Sequence, residues 1–398
     1  MAGIAALAIG YVLSQFYRSF MAVLTPALTT EIGMSKAELS AASGAWFIAF
    51  ALAQFAVGVS LDRFGPRRTA SLMLAAGAGL GAFLFALATS PWMIIAAMAL
   101  IGIGCAPVLM GSLFIFARSY SPARFAVLAS WMVAFGTAGN VIGASPLASA
   151  AEAFGWRPVM AGLGVFTLLT ALAVALLVRD PAEPGGSSGP SSGFAGYREL
   201  LRLRVLWPII PLTMLNYAPT SGIRGLWAGP YLAEVYGADA IVIGQVTLFM
   251  ALAMVAGSFL YGPLDTIFRT RKWVAAGGNA MSLLALVYLT LVPVPGIVGT
   301  TVLFVIVGLC GSSYGLLMAH ARAFVPAHLT GRGVTLMNFF AIGGVGAMQF
   351  ATGGVVTAAS GAGSPGSGYA ALFGFYVLTL GASLLVYLLA RDAKPETT

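Results

Sequence analysis

Two arginines, Arg18 and Arg224, are embedded in apolar helical sequence. Arg18 sits in Ser-Gln15-Phe-Tyr17-Arg18-Ser-Phe-Met-Ala, and Arg224 in Asn216-Tyr217-Ala-Pro219-Thr-Ser-Gly222-Ile-Arg224-Gly225-Leu-Trp227. A guanidinium fork matches the oxygens of a carboxylate or a phosphate in bidentate fashion. An arginine at membrane depth costs at least about 2.5–3.5 kcal/mol, so it faces a protein interior or a wet cavity. An internal carboxylate would explain both residues, but none of the twelve acids lies near the middle of an apolar run. Snorkelling to the outer interface is the other structural explanation. The chemistry they fit best is binding an anion, with Gln15, Tyr17, Trp46, Gln54, Asn216 and Tyr217 as polar or aromatic groups that complete a site or simply pack in the core.

The elements that must hold these arginines follow from composition. The chain has 398 residues, 59% hydrophobic and only 8% charged, with a mean hydropathy of +0.94. A soluble domain carries about 25% charge, and disorder needs high charge with low hydrophobicity. Fifty glycines suit close helix packing in a membrane, and no three-residue period suggests collagen. Outer-membrane strands alternate over about ten residues, whereas these apolar runs are longer. The runs predict twelve spans near 4–28, 40–61, 69–89, 92–116, 125–149, 158–178, 206–234, 241–263, 273–293, 296–321, 330–358 and 369–390. The first run has no basic n-region and reads as a span rather than a cleaved leader. Cys105 and Cys310 lie inside apolar runs with no CxxC spacing, so no disulfide framework is expected.

The Gly/Ser/Pro-rich stretch from Asp180 to Gly193 predicts a flexible linker, and Tyr197–Arg204 a short helix on the membrane surface. The expected domains are residues 1–179 and 206–398, six spans each, joined by a cytoplasmic linker over 180–205. The halves repeat weakly: Asp62 and Asp265 are 203 apart, Arg18 and Arg224 are 206 apart, and Arg124 and Arg332 are 208 apart. Features at one offset indicate a duplicated six-helix unit. Sixteen of the 20 Lys and Arg fall in the loops after even-numbered spans and in the C-terminal tail, against Lys36 and Arg157 in the opposite loops. The positive-inside rule then places both termini in the cytoplasm. It also explains a pI of 9.7 without nucleic acid.

Gly58-Val-Ser-Leu-Asp62-Arg63-Phe-Gly65-Pro-Arg67-Arg68 resembles the loop signature of the major facilitator superfamily. The second copy, around Asp265, lacks the first basic residue and the glycine. The resemblance implies an all-α fold of twelve helices in two pseudo-symmetric bundles. It also implies a cytoplasmic gate formed by Gly58, Asp62, Arg63, Gly65, Arg67, Arg68 and Asp265, with Asp62 at the N-terminus of a neighbouring helix. Tyr17 to Pro26 is similar to the first helix of the superfamily's organophosphate and anion:cation symporter branches, whose arginine there binds the anionic substrate. Arg224 matches a second arginine found in helix seven of the phosphate-ester exchangers.

The expectation is a secondary or facilitative transporter of a small organic or phosphorylated anion, working by alternating access. It would be a monomer in the inner membrane, with no cofactor. Neither a Walker loop nor HExxH nor GxSxG is present, so no enzyme chemistry is expected. Two alternatives stand beside this reading. Met250 and Met254 share a helix face, and soft sulfur ligands select Cu(I), as in the superfamily's copper importers. A non-transporting receptor or assembly factor on the same fold is the other. His320, near the end of span ten, reads as a satisfied helix-end histidine.

Overall fold

A computed structural model describes residues 2–120, 122–181, 195–326, 329–360 and 366–393. Most of the Gly/Ser/Pro-rich linker, residues 182–194, and the Asp62 side chain lie outside the described residues. Among the described residues every regular element is helical. With no water to take backbone N–H and C=O groups, a chain this apolar satisfies them within helices.

Among the described residues nine helices are long and apolar enough to cross a membrane. They match predicted spans two, three, four, six and eight to twelve, with ends within a few residues. The other three spans are broken. Span one consists of Ala2–Tyr17 and Met21–Ile32, bent by 52°. Span five divides between Pro122–Ile142 and Ser145–Phe154. Span seven runs through Ile210–Leu215, Ala218–Gly222, a π-helical turn Ile223–Trp227 and Ala228–Tyr236. Both arginine-bearing spans are therefore discontinuous.

The break in span one has a local cause. The Ser19 hydroxyl donates back to the carbonyls of Gln15 and Phe16 at 3.2 and 3.3 Å, competing with the helical ladder as Ser does in bent helices. Further on, Pro26 has no N–H for the Ala22 carbonyl. The Thr25 hydroxyl takes that carbonyl at 2.8 Å. Span two begins at a capping box: Ser35 N–H donates to Glu38 Oε2 at 2.8 Å, and Glu38 N–H donates to Ser35 Oγ at 3.3 Å.

The chain forms two compact units. Unit 1 comprises Met1–Pro184, Gly225–Ala233 and Gly237–Leu248; unit 2 comprises Gly185–Arg224, Glu234–Tyr236 and Phe249–Thr398. Within unit 1, spans three and four cross at Gly77 and Gly104. A Cβ on Gly77 would stand 2.5 Å from the Gly104 Cα, so only glycine permits this approach. Within unit 2, the short helix Ala195–Arg202 does more than lie on a surface. Its Leu200 is fully buried with Leu329 and Leu336, flanked by Tyr197, Leu203, Val325 and Phe340. Outward faces of the spans are apolar in both units, with Leu72, Leu87 and Leu176 exposed in unit 1 and Leu284, Leu385 and Leu389 in unit 2, as a lipid solvent requires.

Candidate functional site

In unit 1, Arg18 occupies the break itself, directly after Tyr17 and before the helix that starts at Met21. Its guanidinium carbon lies 5.2 Å from the Trp46 ring centroid and 5.6 Å from that of Phe50. Trp46 and Phe50 are stacked, with centroids 5.0 Å apart and planes 18° apart. Such a platform stabilises a cation by about 0.5–2 kcal/mol, more as water is excluded. Arg18 forms no ion pair among the described residues, and its Nε is buried without a hydrogen-bond partner. The structure thus fixes a guanidinium through aromatic contacts and leaves hydrogen-bonding capacity unused.

Two of the other orphaned polar atoms in unit 1 belong to the same group of predicted residues. Gln15 Oε1 and Trp46 Nε1 are buried without partners, while Gln15 Nε2 donates to Tyr11 Oη at 2.8 Å. Buried polar atoms are paired in the great majority of cases, so each orphan marks a place for water or ligand. Tyr17 and Gln54 differ. Tyr17 Oη is 2.9 Å from Thr167 Oγ1, and its ring packs edge-on against Phe16 and Phe20. Gln54 Nε2 donates to the Ala106 carbonyl at 3.3 Å. Both side chains are engaged within the bundle.

In unit 2, Arg224 is fully buried, 1% exposed, in the π-helical turn of span seven. Such single-turn irregularities recur at functional sites. Asn216, at the break before Ala218, donates from Nδ2 to Asn279 Oδ1 at 2.8 Å and to Ser313 Oγ at 2.9 Å. Asn279 in turn donates to Ser313 Oγ at 3.1 Å and to the Ala275 carbonyl at 2.8 Å. Asn216 Oδ1 has no partner, nor has the hydroxyl of Ser221, three residues before Arg224. Tyr217 is half-buried at the N-cap, just before Ala218–Gly222. Asn279, Ser313 and Ser221 escaped the sequence reading. A lone Asn inside the apolar ninth span was the available signal.

Met250 and Met254 are buried and close over Gly308 of span ten. A Cβ there would stand 3.1 Å from Met250 Cγ and 3.4 Å from Met254 Cγ. Their shared face serves helix packing. His320 is buried, with Nδ1 2.7 Å from Tyr387 Oη and Nε2 2.8 Å from the Arg391 carbonyl. Both ring nitrogens are satisfied.

An acid from outside the loop signature, Asp180, engages its backbone. Asp180 Oδ1 accepts the backbone N–H of Arg67 at 2.8 Å, and Arg67 Nε donates to the Ala175 carbonyl at 2.5 Å. Gly65 has φ 78°, ψ 162°, a region essentially reserved for glycine. A Cβ on it would stand 2.6 Å from the Asp180 carboxyl carbon. Gly58 meets nothing within 4 Å, so sterics do not require glycine there. Arg63 lies over the Phe64 ring at 5.2 Å, and Arg68 is exposed. In unit 2, Asp265 pairs with Arg271 at 3.3 Å, and Arg269 adopts φ 52° in the turn where the second copy lacks glycine. Asp392 then repeats the part of Asp180: it accepts from Lys272 N–H at 3.0 Å and from the Thr270 hydroxyl at 2.5 Å.

The Major Facilitator Superfamily model matches residues 7–348. A probable L-galactonate transporter of Escherichia coli K12 is 26% identical over 304 residues, which cover 68% of this chain. The alignment spans only 61% of that relative's length. Solved structures share the fold. A bacterial homologue of the human lysosomal transporter Spinster, inward-facing and occupied, has a TM-score of 0.76 at 20% identity and covers 97% of this chain and 96% of its own. The nucleoside transporter NupG gives 0.74 at 14% identity, covering 97% and 99%. A D-xylose-proton symporter gives 0.74 at 13%, covering 98% of each chain. The chain belongs to the Major Facilitator Superfamily and is a multi-pass membrane protein.

Proposed function

We propose that this protein is a transporter of a small organic anion and that Arg18 is the principal contact for the anion's charge. The observation that carries the reading is the state of Arg18: set in a helix break, held over Trp46 and Phe50, and, among the described residues, without an ion pair and with a buried Nε that has no partner. A partly buried cation, less screened than one in water, attracts an anionic ligand. Beside it in unit 1, the orphaned atoms Gln15 Oε1 and Trp46 Nε1 supply an acceptor and a donor suited to hydroxyls on the same ligand. Arg224, at the corresponding place in span seven, is the second anion-binding candidate. The substrate of the E. coli relative, as its name states it, is a sugar acid, which combines these two chemistries.

In this reading residues 1–179 and 206–398 are two six-helix halves that work by alternating access, and the basic loops and both termini face the cytoplasm. The test is uptake of labelled aldonates and sugar phosphates into proteoliposomes. Arg18→Ala abolishes uptake if the reading holds, while Arg18→Lys keeps a measurable fraction. Undiminished uptake by Arg18→Ala removes the site.

A further inference from the structure

Unit 2 contains a second place with unpaired cationic character, at the end where span seven begins and span twelve finishes. A cleft of about 330 Å³ is lined there by Arg204, Val205, Pro208, Leu389 and Arg391. Among the described residues neither arginine forms an ion pair. The neighbouring carboxylate, Asp392, is occupied by Thr270 and Lys272. Two guanidinium groups sharing one cleft without a counter-charge repel each other and attract an anion.

Both arginines stand on pinned backbone. The Arg391 carbonyl is held by His320 at 2.8 Å. Arg204 opens a 3-10 turn, and the following Trp207 is tied back by its indole N–H to the Leu201 carbonyl at 3.0 Å. Such preorganisation lowers the cost of binding. The surroundings identify the kind of anion. Leu389, in the cleft lining, is 78% exposed; Leu385, one helical turn before it, is 69% exposed, and Trp207, next to Pro208 of the lining, 61%. Trp at the membrane boundary beside basic residues is an interfacial arrangement, and basic pockets beside membrane helices bind anionic headgroups.

We propose that Arg204 and Arg391 bind a phosphate group, and that the exposed leucines select it as the headgroup of an anionic phospholipid whose acyl chains lie along Leu385 and Leu389. This site is separate from the one around Arg18 and does not depend on it.

The experiment is native mass spectrometry and thermal shift of the purified full chain with short-chain phosphatidylglycerol, short-chain phosphatidylcholine or inorganic phosphate. The expected result is retention and stabilisation by phosphatidylglycerol above phosphatidylcholine. Binding should weaken about fivefold in Arg204→Gln and in Arg391→Gln, and further in the double variant. The control Arg198→Gln/Arg202→Gln removes the same charge outside the cleft and keeps the binding. Equal retention of the two lipids, undiminished binding by the double variant, or an equal loss in the control would overturn the site. Stabilisation by inorganic phosphate equal to that by phosphatidylglycerol would overturn the lipid assignment.

Discussion

Asp180, just past the end of span six, accepts the backbone N–H of Arg67 at 2.8 Å, across 113 residues of sequence. The same device recurs in the other half, where Asp392, just past span twelve, accepts the N–H of Lys272 at 3.0 Å. Each acid follows an arginine, in Arg179-Asp180 and Arg391-Asp392, and each meets the start of the third helix of its half. First-turn N–H groups have no helical partner and carry partial positive charge. The last span of each half is thereby fastened to the loop between its second and third spans.

Replacing either acid by Ala should destabilise the protein by about 0.5–2 kcal/mol, the usual range for a lost N-terminal cap. The two losses should add, since the sites lie in different units and share no partner. Thermal unfolding of the single and double variants measures this. A double variant no less stable than either single one contradicts it.

Asp392 also makes stability pH-dependent. Burial works against its charged form, but hydrogen bonds from the Thr270 hydroxyl and the Lys272 N–H, with His320 adjacent, hold the carboxyl below the usual carboxylate range. A lowered folded pKa stabilises fully above the unfolded value of about 3.9 and loses that contribution as pH falls through the folded value. Wild type should therefore lose more stability below pH ~4 than Asp392→Asn. Parallel acid profiles would contradict this.

Gly65 and Gly58 should behave oppositely, although both belong to one loop signature. Gly65→Ala combines a strained φ with collision against Asp180 and should cost about 1–3 kcal/mol. Gly58→Ala enters open space on a helix and should be neutral or stabilising by up to about 1 kcal/mol. Melting temperatures of the two variants decide it.

Asn279→Ala should cost about 1–3 kcal/mol, because it leaves Asn216 Nδ2 and Ser313 Oγ with fewer partners in a buried cluster. Met250→Leu and Met254→Leu should each stay within about 1.5 kcal/mol of wild type, since volume-conserving swaps are tolerated in packed positions. Uptake that survives both methionine changes agrees with an anion carrier; uptake abolished by Met250→Leu returns the Cu(I) reading.

The spans were legible because a run of apolar residues has one physical solution in lipid. The breaks were less so. Nothing in Tyr17-Arg18-Ser19-Phe20 is a glycine or proline, and the bend follows from where the Ser19 hydroxyl turns. The π-helical turn at Arg224 has no sequence period that distinguishes it from an α-helix. Asp180 read as the first residue of a polar linker, because its partner is remote in sequence. Arg18 itself stood out by its cost in an apolar run, while its aromatic platform needed the packing of span two against span one.

Calorimetric titration with L-galactonate and with its uncharged polyol, galactitol, tests the central claim most directly. The account predicts that wild type binds the aldonate well above the polyol, and that Arg18→Ala binds the two equally weakly. Preference for the aldonate that persists undiminished in Arg18→Ala would contradict it.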